Sequence, residues 1–130
     1  MMDREESIAW VLTTRIPALK GKLFINDLPA SATAGVLIKE GYSGAQIDPE
    51  IKGRRQARFQ IAIRDVRAKT AASKALAHQI MDALDIPGDV PITNGIFIKS
   101  CRPLTEPISY PITDGDNIEV TLNFLIHYFV

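Results

Sequence analysis

Ile118-Glu-Val-Thr-Leu-Asn-Phe-Leu-Ile-His-Tyr128 decides the fold, because Ile118, Val120, Leu122, Phe124, Ile126 and Tyr128 fall on every second residue, with Glu119, Thr121, Asn123 and His127 between them. Successive side chains of a strand point to opposite faces, so this period describes one long strand with a buried face and a wetter one. A second alternation in Ala57–Asp65 places Phe59, Ile61 and Ile63 on one face and Arg58, Gln60 and Arg64 on the other. Two such strands need a cover for their apolar sides, and two helical segments offer it. Asp3 and Glu6 form a capping-box pattern ahead of Ile8, Val11 and Leu12, so a helix is expected to about Thr14, ending before Pro17. Lys69–Leu84 is rich in alanine, with Ala72, Leu76, Ile80 and Leu84 as its apolar stripe, and Pro87 and Gly88 follow its end.

Between these lie shorter signals. Lys22–Asn26, around Leu23, Phe24 and Ile25, and Gly35–Glu40, around Val36, Leu37 and Ile38, read as strands. Ile96–Cys101 reads as another, entered by a tight turn at Asn94-Gly95. Residues 41–56 gather Gly41, Gly44, Pro49 and Gly53 without periodicity and are expected to form a long exposed loop. Arg102–Asn117, with Pro103, Pro107 and Pro111, reads as a second irregular connection. The order is α-β-β-β-α-β-β. Links too short for crossovers imply an α+β fold, a mostly antiparallel sheet with two helices packed on one face, and a single domain over residues 1–130.

The composition is that of a globular domain: 130 residues, 46% hydrophobic and 23% charged, with no apolar run near the roughly 20 residues that span a bilayer. Neither a signal peptide nor a spanning segment is expected. Fifteen basic residues balance fifteen acidic ones, but unevenly. Lys52, Arg54, Arg55, Arg58, Arg64, Arg67 and Lys69 face only Asp65 within their stretch, while Pro103–Val130 has acids and no Lys or Arg. Positive and negative surfaces should result, which favours head-to-tail contact between copies, with the long final strand available to extend a neighbour's sheet. Lys52, Arg54, Arg55 and Arg58 are the candidate partner interface, set against an acidic protein surface or the phosphates of DNA; the alternative is a solvated loop.

Chemistry is hard to seat in this chain. Cys101, His78 and His127 are too far apart in sequence to suggest a zinc site, and the phosphate-cradling and nucleophile-elbow motifs are absent. The single cysteine reads as a small, half-buried strand residue rather than a reactive thiol. Asp82, Asp85 and Asp89 read as solvated charges at a helix end, and Asp114-Gly115-Asp116-Asn117 as a turn rather than a calcium loop. No cofactor, metal or catalytic residue is expected.

The order of these landmarks resembles the tail terminator proteins of long-tailed bacteriophages, also called minor capsid or tail completion proteins. The resemblance is carried by the first helix leading into Leu23-Phe24-Ile25 and Leu28-Pro29, the strand running into Gly41 and Gly44, the Phe59–Ile63 strand followed by an alanine-rich helix, the loop with Pro107, and the Asp114-Gly115 turn into Val120-Thr121-Leu122-Asn123-Phe124. It implies a non-enzymatic virion protein of the tail or neck, assembled in the host cytoplasm. Six copies would form a ring that caps the head-proximal end of the tail tube, stops its polymerisation and meets the head connector. DNA passing through the ring would touch it without sequence preference. Other readings stay open: another small neck or baseplate protein, a small-molecule-binding regulatory domain, or an enzyme built from distant residues.

Overall fold

A computed structural model describes residues 2–26, 34–40, 44–111 and 117–130. Helix α1 (Arg4–Arg15) opens with the expected capping box: Glu6 N–H donates to Asp3 Oδ1 at 2.8 Å, and Asp3 N–H donates to Glu6 Oε1 at 3.4 Å. Strands β1 (Leu23–Ile25), β2 (Gly35–Glu40), β3 (Gln46–Ile47) and β4 (Arg54–Val66) follow, then α2 (Thr70–Ala83), β5 (Val90–Pro91), β6 (Phe97–Pro103), β7 (Ile108–Pro111) and β8 (Asn117–Phe129). They form one curled eight-stranded sheet with the path β1-β2-β4-β8-β6-β5; β3 adds to β4 and β7 to β8.

The two alternating stretches are neighbours. β4 and β8 pair antiparallel from Arg54↔Phe129 to Val66↔Asn117, which brings Phe59 opposite Phe124 and Ile61 opposite Leu122. Phe59 and Phe124 stack with ring centroids 5.1 Å apart and 12° between planes. Val36 and Ile38 of β2 join the same face through Ile63 and Ile61, and Cys101 of β6 through Ile126. Ile8, Val11 and Leu12 of α1, with Ala77 and Ile80 of α2 and Leu84 just beyond it, are buried in the same cluster. Arg4 holds one end of this seam: its guanidinium lies 2.7 Å from buried Glu5 and donates to the Tyr128 hydroxyl at 3.2 Å.

Several expectations need correction. Three short strands, β3, β5 and β7, were not in the expected order, and β1 runs parallel to β2 within an otherwise antiparallel sheet. β7 lies inside the proline-rich connection, with Pro111 at its end, where a missing N–H costs the ladder little. Within the expected loop of 41–56, residues 46–47 and 54–56 are strand. The buried side of α2 carries Ser73, Ala77 and Ile80, with Leu84 as its cap; Ala72 is exposed and Leu76 only half-buried. A serine on the core face hides the stripe from a count of apolar residues. β8 has neighbours on both sides, β4 on one and β6 and β7 on the other, so it cannot extend an adjacent copy's sheet. Leu28-Pro29, Gly41 and the Asp114-Gly115 turn lie outside the described residues. No helix among the described residues is long and apolar enough to cross a membrane.

Candidate functional site

The pleat that buries Phe59, Ile61 and Ile63 sends the alternate side chains of β4 to the other face of the sheet. The register carries this across the strands: Lys39 lies beside Gln60 and Asn123, Arg58 beside Leu125 and Arg102, Gln56 beside His127 and Ser100, and Arg64 beside Glu119. An open cleft of about 370 Å³ on this side is lined by Arg54, Lys99, Ser100, His127 and Phe129, so the bulge in β6 at Lys99 turns that side chain to the same face. Lys39, Arg54, Arg58, Arg64, Lys99 and Arg102 therefore share a face on which Glu119 is the one strand carboxylate, since Glu40 and Asp65 have the opposite parity.

The cations differ in how they are held. Arg64 Nη2 is 3.4 Å from Glu119 Oε2, Lys99 Nζ is 2.7 Å from Asp89 Oδ1, and Arg54 Nη1 is 3.8 Å from Asp48 Oδ2. Lys39, Arg58 and Arg102 have no ion pair among the described residues, and Arg58 and Arg102 are exposed. The basic segment and the acidic C-terminal segment are thus adjacent strands rather than separate surfaces; the charge is sorted by sheet face.

The four candidate residues are split by the same geometry. Arg54 and Arg58 lie on the basic face, Arg55 has the opposite parity beside Tyr128, and exposed Lys52 sits in the turn before β4. That turn is ordered around Asp48. Its Oδ1 accepts the N–H groups of Glu50 at 2.8 Å and Ile51 at 3.0 Å, and these two bonds, with Arg54 adding less, hold its carboxyl below the ordinary 3.8. Gly53 has φ +85°, and a Cβ there would lie 3.3 Å from the Val130 carbonyl oxygen. Val130 N–H in turn donates to Gly53 O at 3.0 Å. Exposed Ile47, Ile51 and Val130 flank this hairpin.

The other candidates are plain. Cys101 is 1% exposed, more buried than expected, and burial, with the Asp85 charge adding to it, pushes its thiol up to about 12. Asp82, Asp85 and Asp89 are exposed, as is His78. No group of three metal-ligating side chains comes together among the described residues. Sequence reasoning missed Lys39, Lys99 and Arg102 because they stand on other strands, β2 and β6; the spacing Lys99-Ser100-Cys101-Arg102 was there to read, but only the bulge and the pairing with β8 reveal its face, and only the pairing with β4 reveals that of Lys39.

A family described as "Bacteriophage tail terminator protein" matches residues 6–129. Among solved structures, a chain titled "Virion of native gene transfer agent (GTA) particle" aligns with a TM-score of 0.71 at 18% identity, over 98% of this chain and 95% of that one, a likeness of fold. A second solved chain, 13% identical over 97% of this chain and 92% of its own, has a TM-score of 0.47 and carries no argument. No curated protein matches.

Proposed function

We propose that this chain, which belongs to the bacteriophage tail terminator family, caps the head-proximal end of a phage tail tube, ends its polymerisation and joins it to the head connector. The family is one of structural, non-enzymatic virion proteins, and the chain is accordingly a structural protein of the tail or neck. The observation that carries the finer reading is the family match across residues 6–129. The fold shared with a chain of a gene transfer agent virion supports it. In this reading residues 1–130 act as one domain, assembled in the host cytoplasm, and six copies close into a ring.

The free strand edges suit such a ring. With β8 enclosed, the edges left among the described residues belong to the short strands β1, β3, β5 and β7 and to the part of β6 beyond β5, where Ile86 bridges Cys101. A heterologous contact that repeats with the right rotation closes on itself, and the hairpin with Lys52, Arg55, Ile47 and Ile51 offers an apolar and cationic surface to a neighbouring copy or to the tube protein. DNA crossing the ring is the remaining partner of this reading.

The experiment adds the purified chain to polymerising tube protein and measures tube lengths by negative-stain microscopy, with solution mass by light scattering. Tubes that stop growing and carry a ring at one end are expected. A chain that stays monomeric at high concentration and leaves tube growth and tube ends unchanged would sink the proposal.

A further inference from the structure

We infer that the face of the sheet turned away from the helices is a sequence-independent binding surface for duplex DNA, with Arg58, Arg102 and Lys39 as its phosphate-binding groups. This deepens the proposed function by assigning the duplex to a defined face, and it rests on that reading only for the duplex's presence.

Three observations carry it. First, the pleat and register collect Lys39, Arg54, Arg58, Arg64, Lys99 and Arg102 on one face, against Glu119 on the same face and Asp48 and Asp89 beside it, in a chain whose formal net charge is +0. A neutral protein that sorts cations to one side of its sheet builds a local positive field that net charge conceals. Second, Lys39, Arg58 and Arg102 have no ion pair among the described residues. Arg58 and Arg102 flank Leu125 from the strands on either side of β8, so their Cα atoms stand about 10 Å apart, while Arg54 and Arg58 lie about 13 Å apart along β4. Cations spaced like this meet different phosphates of a duplex, which carries a charge about every 1.7 Å of its axis. Third, around half-buried Leu125 the neighbouring positions are polar and uncharged: Gln56, Gln60, Ser100, Asn123 and His127 can donate to phosphate and sugar oxygens but present no fixed pattern for reading bases.

A protein partner fits this part of the face less well. Protein interfaces centre on apolar anchors with charge kept to the rim. Of the exposed large apolar residues, Leu104, Ile108 and Tyr110 stand on this face beside Asn123, Thr121 and Glu119, towards β7, while the part with Arg54, Arg58 and Arg102 carries none. In that part Arg58 and Arg102 stand exposed about a half-buried Leu125, and exposed cations of this kind suit a polyanion.

The test is fluorescence anisotropy of a labelled random-sequence duplex with the full chain, titrated from about 50 to 200 mM salt. Three proteins are compared: wild type, Arg58→Gln/Arg102→Gln, and the control Lys20→Gln/Lys74→Gln, which removes equal charge away from the strands. Melting curves of all three establish that each is folded. Wild type and control are expected to bind alike with a salt slope that the double variant lowers by about 1.8, at about 0.9 for each phosphate no longer neutralised, together with at least about tenfold weaker binding at the lowest salt. Absence of duplex binding by wild type, or equal loss in both variants, overturns the inference. So does a wild-type mass that rises with concentration without DNA and falls in the Arg58/Arg102 variant, since the face would then belong to an interface between copies. Tube capping is scored without DNA. A chain that caps tubes but binds no duplex fails this inference alone, and one that binds duplex but caps nothing fails the proposed function alone.

Discussion

Strand β4 behaves as two different objects along its length. From Ala57 to Ile63 every odd residue is buried against the helices and β8, and the neighbours on both sides are themselves core strands. From Arg54 to Gln56 the partner β2 is gone, the two-residue β3 takes its place, and no side chain is fully buried. The strand is continuous, yet one half is fixed by what it buries and the other by a turn. Packing makes the first half costly to change; the second is held by hydrogen bonds to water-exposed groups, whose net contribution is small.

The sharpest way to break the first half is Phe124→Ala. It removes a 0% exposed ring and unstacks Phe59, so a loss of about 3–5 kcal/mol is expected, a large share of a small domain's stability. Denaturant unfolding followed by fluorescence reads it directly. A shift in midpoint no larger than that of a surface variant would show that the β4–β8 seam is not the centre of the core.

Cys101 probes the same region from its edge on β6. Cys101→Ser places a hydroxyl among apolar neighbours and is expected to cost about 1–3 kcal/mol. The wild-type thiol is buried and pushed up to about 12, so its labelling by a disulfide reagent should require opening of the protein and run far slower than that of an exposed thiol. Rapid labelling of the native protein would mean that β6 opens far more readily than its pairing with β8 suggests.

These two halves also differ in what could be read from the sequence. Alternation in Ala57–Asp65 and Ile118–Tyr128 was legible because each has one buried face, and the Asp3/Glu6 capping box because its chemistry is local. β3, β5 and β7 were not, since two to four residues carry no period and Pro91 and Pro111 argue against a strand until an edge position excuses them. The cluster Lys52, Arg54, Arg55 and Arg58 was visible as charge but not as geometry. A loop would let all four point together; the strand that begins at Arg54 forces Arg54 and Arg55 apart. Lys39 and Arg102 entered the basic face only through β2 and β6, and pairing between distant segments is what one sequence leaves unspecified.

The turn that starts the second half responds to pH. Asp48 accepts two backbone N–H groups and is held below 3.8 when folded, so its contribution is present above that ordinary value and is lost as pH falls through the lower folded one. The amide resonances of Glu50 and Ile51 should therefore titrate together below pH 3.8, with the core resonances of Phe59 and Ile61 unmoved in the same range. Asp48→Asn should abolish that titration and leave the melting temperature nearly unchanged. If Phe59 moves with Ile51, the two halves of β4 are one cooperative unit and the comparison fails.

The smallest effect on stability, and the finest test of the division, comes from separating two adjacent arginines. Arg54→Gln removes a cation from the basic face with only a 3.8 Å ion pair to Asp48, and Arg55→Gln removes one from the opposite side, where its Nη1 donates to the Arg54 carbonyl at 3.1 Å. Exposed pairs of this kind are worth about 0–1 kcal/mol, so both variants should melt within a degree or two of wild type. Their functional signatures should diverge. Arg54→Gln is expected to lower the salt slope for duplex by less than the roughly 0.9 of a full phosphate contact and leave tube capping intact, because it stands with Arg58 on the basic face but is paired with Asp48. Arg55→Gln should leave duplex binding unchanged and lengthen tubes or weaken ring formation, because it stands with Ile47 on the hairpin side proposed to meet a neighbour. Identical behaviour of the two variants in both assays would show that the arginines act as a loop-borne charge cluster, and that the pleat of β4 does not divide their work.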